Sequence, residues 1–360
     1  MKRYARISIF SLFFFCLLPA VTLKAGGFSL KINDVSGLDS PWPMIGSLAF
    51  PMGELRDPSA IRIMGGNKEI PSQVDVAATW RDGSIRWALA GFTASPQGKY
   101  RAEYGKGIKR GAYPSPMKVI HGTNGFTVDT GAALYRFDAD KLLPEEGWLS
   151  SGGKNIQILK GSGDGAYLVD NSGRTARVAG QGAEVENEVL KEGPARLVLK
   201  RSGWYVTDVG EKIARAEVWF YFSQGVPYFK VTHSLVITED TNRVWFKEYG
   251  LEFKTSTLPA SVYCTSGEPG KEEIKKVTAE GSDIYMLQDQ YPHFAERQYR
   301  AVIGKSSGGR DSVLKEYETA GDWAHGDYGS YGITVAMPWL AERFPKEISC
   351  GPSGARAVLW

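Results

Sequence analysis

Two short stretches of this chain concentrate side chains that can do chemistry. The first runs from Gln288 to Arg300 and carries Tyr291, His293, Glu296, Arg297, Tyr299 and Arg300. Imidazole and phenol can exchange protons, and guanidinium can hold an anion. The second runs from Gly321 to Gly332 and carries Asp322, Trp323, His325, Asp327, Tyr328 and Tyr331. Its glycines permit tight backbone turns. Both stretches read as loops, and loops of Trp, Tyr, His and Asp suit sugars. Aromatic faces stack on the apolar side of a pyranose, and polar groups bind its hydroxyls. Arg300, Trp323, His325 and Asp327 are the candidate contacts. The competing reading is a turn-rich connection with a few buried aromatics.

Other chemistries find no motif. The chain has no Ser-His-Asp order, P-loop, dinucleotide-binding glycine loop or HExxH. His233 shares strand parity with Phe229, Val231, Leu235 and Ile237, which places it on an apolar face as a core residue. His121 precedes Gly122 in a turn. Asp138 with Asp140, and Asp164 with Asp170 and Asn171, resemble calcium loops only loosely and read as solvated turns. No metal site is expected, because the four His lack ligand spacing.

The elements that must position these residues begin after an N-terminal leader. Lys2, Arg3 and Arg6 precede an apolar run from Ile7 to Ala20, and Ala25-Gly26-Gly27 follows. This reads as a secretory signal peptide over residues 1–25 and implies a secreted or periplasmic protein. The run is shorter than the roughly 20 residues of a membrane span, so no membrane partner is expected after cleavage; the competing reading is an uncleaved N-terminal anchor. Losing Lys2, Arg3, Arg6 and Lys24 leaves 39 basic residues against 40 acidic. No basic field remains for nucleic acid. Two cysteines also remain, Cys264 and Cys350, either paired or as two buried thiols.

Beyond the leader, 42 Gly and 12% aromatics exclude a helical bundle and a disordered chain. Strands are expected at Phe28–Ile32, Ser47–Pro51, Ala60–Met64, Phe126–Val128, Ala133–Phe137, Ala195–Lys200, Ile213–Phe222 and Tyr228–Ile237. Val218–Phe222 is apolar on both parities, as for a strand covered on both faces. Asp82-Gly83 suits a two-residue type I′ hairpin, which would set Ala78, Trp80, Ile85 and Trp87 on one core face. The fold is expected to be all-β: a small N-terminal barrel over 26–112, then a larger β-sandwich over 113–360. The polar joint Lys106–Pro116 separates them. Ala355–Trp360 reads as a strand with no polar tail after it, as if a longer parent had been truncated.

Ser47-Leu-Ala-Phe-Pro-Met-Gly-Glu54, Ile70-Pro-Ser-Gln73 and Trp80-Arg-Asp-Gly-Ser-Ile-Arg-Trp87 resemble the N-terminal RIFT barrel of the PcRGLX/YetA-like exo-rhamnogalacturonan lyases. His233-Ser-Leu235, Tyr331-Gly-Ile-Thr-Val335, Phe344-Pro-Lys346 and Val358-Leu-Trp360 resemble the central β-sandwich of the same family. The resemblance implies β-elimination at a galacturonate, with a pectic oligosaccharide or polysaccharide as partner. His293 or Tyr299 would then be the base, and Arg297 or Arg300 the carboxylate neutraliser. The family's C-terminal (α/α) toroid has no counterpart in this sequence, which leaves two readings: a truncated parent chain, or a separate toroid domain as partner. The second reading of the function is a non-catalytic carbohydrate-binding or scaffold module of a truncated or split enzyme. The leader makes one expectation measurable: Edman sequencing of the exported protein should begin near Gly26, and a mature chain still starting at Met1 would refute the export signal.

Overall fold

The computed structural model describes residues 26–32, 40–113, 117–267, 272–289, 301–308 and 310–359. The expected signal peptide lies outside them. The described chain is all-β. Its one helical turn is the 3-10 segment Pro58–Ala60, where the Asp57 carboxylate accepts from the Ser59 amide at 2.8 Å.

Two sheets form the first part. Strands Gly26–Leu30, Tyr100–Tyr104, Ile61–Gly65 and Lys68–Ile70 make a four-stranded sheet, and Trp42–Ala49, Ile85–Ala94 and Ser72–Thr79 a three-stranded one. Both feed one core that includes Leu48, Ile61, Ile63, Ile85, Ala88 and Phe92. The remaining sheets form a sandwich. A twelve-stranded antiparallel sheet is covered at one end by five strands between Lys118 and Lys160. At the other end it is covered by the four strands Glu273–Thr278, Ser261–Ser266, Ala320–Asp327 and Gly332–Ala336.

Period-two alternation explains the long strands. In Lys212–Ser223, Ala214, Ala216, Val218, Phe220 and Phe222 are fully buried. Phe137 of the covering sheet meets Phe220 edge-on at 5.2 Å. The expectation of two covered faces needs correction. Trp219 and Tyr221 point outward and are shielded by side chains from neighbouring strands. Lys200 Nζ lies 5.1 Å from the Trp219 ring, and Lys230 Nζ lies 5.7 Å from Tyr221. Lysine stems cover apolar rings while keeping their ammonium wet.

The hairpin also departs from expectation. Its loop has three residues, Arg81, Asp82 and Gly83. The Trp80 amide donates to the Ser84 carbonyl at 2.7 Å, and Gly83 takes φ +78°. Asp82 Oδ1 accepts from the Ser84 amide at 3.0 Å, which favours this loop over the two-residue turn. The register then shifts twice, around Ala77 and around Arg86. A bulge puts two successive residues on the same side, so Arg86 and Trp87 both face out. Trp87 is 43% exposed, and Ile85 only 1%. Trp80 is half-buried beneath the Arg86 guanidinium, 4.8 Å from its ring. Of the four residues expected on the core face, Ile85 alone belongs to the core cluster. Ile85→Ala should therefore cost about 2–4 kcal/mol, and Trp87→Ala under about 1 kcal/mol, as for exposed sites. Urea midpoints of the two variants would test this; equal losses would contradict the bulged register.

Candidate functional site on the outer sheet face

The stretch from Ala320 to Asp327 is a strand, not the loop its glycines suggested. Alternation buries Ala320, Ala324 and Gly326 against the core and turns Trp323, His325 and Asp327 to the outer face. The register of the four-stranded sheet builds a row across that face. Lys276 pairs with Tyr263, Tyr263 with His325, and His325 with Thr334.

Contacts join the row. Lys276 Nζ lies 5.4 Å from the Tyr263 centroid, and the Tyr263 and His325 rings are 6.1 Å apart. His325 Nδ1 is 2.8 Å from Thr334 Oγ1, which orients the imidazole and leaves Nε2 for a ligand. Gly332 makes room for that ring, since a Cβ there would collide with His325 Cε1. Trp323 occupies the next outward position and pairs with Ala336. Asp327 does other work: its Oδ1 accepts from the Gly329 amide at 2.9 Å and caps the following turn. The face thus offers an ammonium, a phenol, an imidazole, a hydroxyl and an indole. These can stack on a sugar, bind its hydroxyls and hold a carboxylate. Lys276 and Tyr263 escaped the sequence reading because only the tertiary register carries them to His325.

His293, Arg297, Tyr299 and Arg300 lie outside the described residues. His233 sits in the core, its Nε2 3.0 Å from Tyr205 Oη, and burial pushes its pKa down to about 4. Cys264 and Cys350 are free, buried thiols, each pushed up to about 12 by burial. Three of the aspartates read as turns are engaged, Asp164 with Lys254 at 3.7 Å among them. Asp138 pairs with Arg136, and Asp170 accepts from Ser172 and Arg174. Burial opposes ionisation of Asp170, yet those hydrogen bonds bring it down to about 2. No group of three potential metal ligands occurs among the described residues.

The opposite outer face, on the large sheet, holds another polar cluster. Arg356 Nη2 donates to Tyr167 Oη at 2.7 Å and to Glu248 at 3.1 Å. Nearby Glu347 is pushed up to about 7 by burial, with Glu248, Asp311 and Asp283 reinforcing the shift and Arg356 opposing it.

The described chain is all-β, and the outer face of its four-stranded cover gathers Lys276, Tyr263, His325, Thr334 and Trp323. Residues 44–107 match the family model of the PcRGLX-like N-terminal RIFT barrel domain, and this part of the chain is such a domain. It is the N-terminal domain of the family that the Trp80–Trp87 motif resembles. No curated protein matches the chain.

Glu347 gives a pH prediction. Its folded pKa lies above the ordinary 4.5, so the native state binds the proton more tightly than the unfolded chain. Stability from this group is complete below about 4.5 and falls as pH rises toward about 7. Glu347→Gln should flatten that slope and raise stability at pH 8, by on the order of 2 kcal/mol. Urea melts at pH 5 and pH 8 would measure it; a variant that loses as much stability as wild type between the two would refute the assignment.

Proposed function

We propose that this is an exported protein that binds pectic rhamnogalacturonan and takes part in its β-elimination. The observation that carries the reading is the RIFT barrel match over residues 44–107. The outer row of Lys276, Tyr263 and His325 supports it chemically. Elimination at a uronate needs a cation on the carboxylate, a base for the C5 proton and a donor for the leaving oxygen. Lys276 supplies a cation, and His325 and Tyr263 supply proton-transfer groups. His293, Arg297, Tyr299 and Arg300 remain the catalytic and binding candidates of the preceding segment.

A second reading, a non-catalytic carbohydrate-binding module, is favoured by the placement of the row. It lies on the outward face of a sheet, where it can form one wall of a site. Catalysis requires all reacting groups within about 3 Å of their targets. The full chain should therefore bind rhamnogalacturonan oligosaccharides at micromolar to millimolar strength and release little ultraviolet-absorbing unsaturated product. Trp323→Ala or His325→Ala should weaken binding about tenfold, equivalent to about 1.4 kcal/mol. Calorimetry and absorbance assays test both points. Unchanged binding in both variants would remove this face from the site, and robust elimination by the chain alone would overturn the non-catalytic reading.

A further inference from the structure

The barrel carries a cavity that the proposed sugar face does not use. Its volume is about 420 Å³, within the usual range of small-ligand sites, about 300–1,000 Å³. It opens on the outer face of the four-stranded barrel sheet and is lined by Gly27, Ser29, Arg62, Arg101, Glu103 and Ile108, among others. The register explains the grouping. Gly27 and Arg62 both pair with Glu103 from either side, and Ser29 pairs with Arg101. Gly27 has no side chain to stand over the Glu103 stem.

The cavity has a built electrostatic floor. Arg62 donates to Glu103 Oε2 through Nε at 2.9 Å and approaches it through Nη2 at 2.7 Å. Arg101 Nε donates to Glu103 Oε1 at 2.8 Å. Arg101, then Arg62, holds the Glu103 carboxyl below its ordinary range, so it stays ionised. The Glu103 carboxylate is thus shared by two guanidiniums, Glu69 stands as a more distant second counter-ion to Arg62, and the exposed Lys106 and Lys109 add positive charge at the rim. Arg101 Nη1 is tied to the Gly66 carbonyl, which fixes the guanidinium plane. Its Nη2 makes no hydrogen bond among the described residues. Glu69, 3.9 Å from Arg62, is partly occupied by the Gly111 amide at 3.1 Å. On the rim, Ile108 lies between the exposed Lys106 and Lys109.

We infer that this cavity is a subsite for a sugar acid, with the ligand carboxylate on Arg101 and Arg62 and the apolar ring face against Ile108. A planar guanidinium of fixed orientation suits a carboxylate better than a neutral hydroxyl. The inference rests on the reading that the chain binds an acidic glycan, and it places a second contact for that glycan on the barrel. The arginines are 30% and 41% exposed, so binding should be modest and weaken as salt rises.

The test is calorimetric titration of the full chain with galacturonate oligomers, neutral galactose oligomers and succinate. Galacturonate oligomers should bind, neutral oligomers should bind at least tenfold more weakly, and succinate should not compete at equal concentration. Arg101→Gln and the rim variant Ile108→Asp, which touches no ion pair, should each lower galacturonate affinity about tenfold. Both should keep the wild-type melting temperature within a few degrees. Trp323→Ala, on the sandwich, should retain the salt-sensitive part of the binding. Unchanged affinity in both barrel variants, with loss in Trp323→Ala, would overturn the barrel subsite and leave the sandwich reading standing. Equal binding of succinate would overturn the sugar assignment. Absence of any glycan binding would overturn both.

Discussion

One apolar face governs the sandwich. The twelve-stranded sheet presents it from Phe220 and Phe222 at one end to Ile348 and Cys350 at the other. Adjacent strands stand about 4.8 Å apart, so no sheet of four or five strands spans such a surface. Two covering sheets divide the work, and each closes its own core cluster. At the seam, Tyr328 stacks on Tyr331 at 4.9 Å, and the Tyr331 hydroxyl meets Ser256 and Thr257 at 3.0 and 2.8 Å. Ile333 packs against both clusters. The inward side of the second cover is committed to this packing. Polar chemistry on the same strands is thereby left to the outward side, where the Lys276–Tyr263–His325 row stands.

Polar groups make the arrangement specific. Arg201 is fully buried between the rings of Phe126 and Phe137, and its Nη2 donates to the Asp138 and Lys141 carbonyls at 2.7 and 2.5 Å. Burial brings it down to about 10. A guanidinium placed there costs stability, but it ties one loop of the covering sheet to one strand of the large sheet. The barrel is fixed by a similar device. Arg196 reaches Asp75 at 2.6 Å, and its amide donates to Gln73 at 3.1 Å. Trp42 stacks on Tyr228 at 5.4 Å.

Local pattern made much of the architecture readable. Phe28–Ile32 alternates cleanly, the runs Ala60–Met64, Ala133–Phe137 and Ile213–Phe222 are rich in apolar and aromatic residues, and each falls on a strand within a residue or two at either end. Where pattern misled, a local geometric choice intervened. Asp82 bonded to Ser84 selected a longer loop, and the bulge at Arg86 turned Trp87 outward. Trp323, His325 and Asp327 alternate as a strand should, but Gly321 and Gly326 disguised them as loop residues. Tyr263 and Lys276 could not be read at all as members of the same row. Their meeting with His325 depends on strand pairing between segments about sixty residues apart, which no short motif encodes.

The strand Gly354–Val358 lies in the middle of the large sheet, between Phe246–Phe253 and Lys346–Gly351. A ribosome therefore delivers this central piece only after the strands on both sides have emerged. Until then the nascent sheet is two halves, each with an open inner edge whose amides and carbonyls await a partner. Such edges invite pairing with other chains, and closure over long sequence separation is slow. Synthesis of this protein thus has a vulnerable interval that ends when a five-residue segment inserts as a keystone, and a holding chaperone would be most useful in that interval.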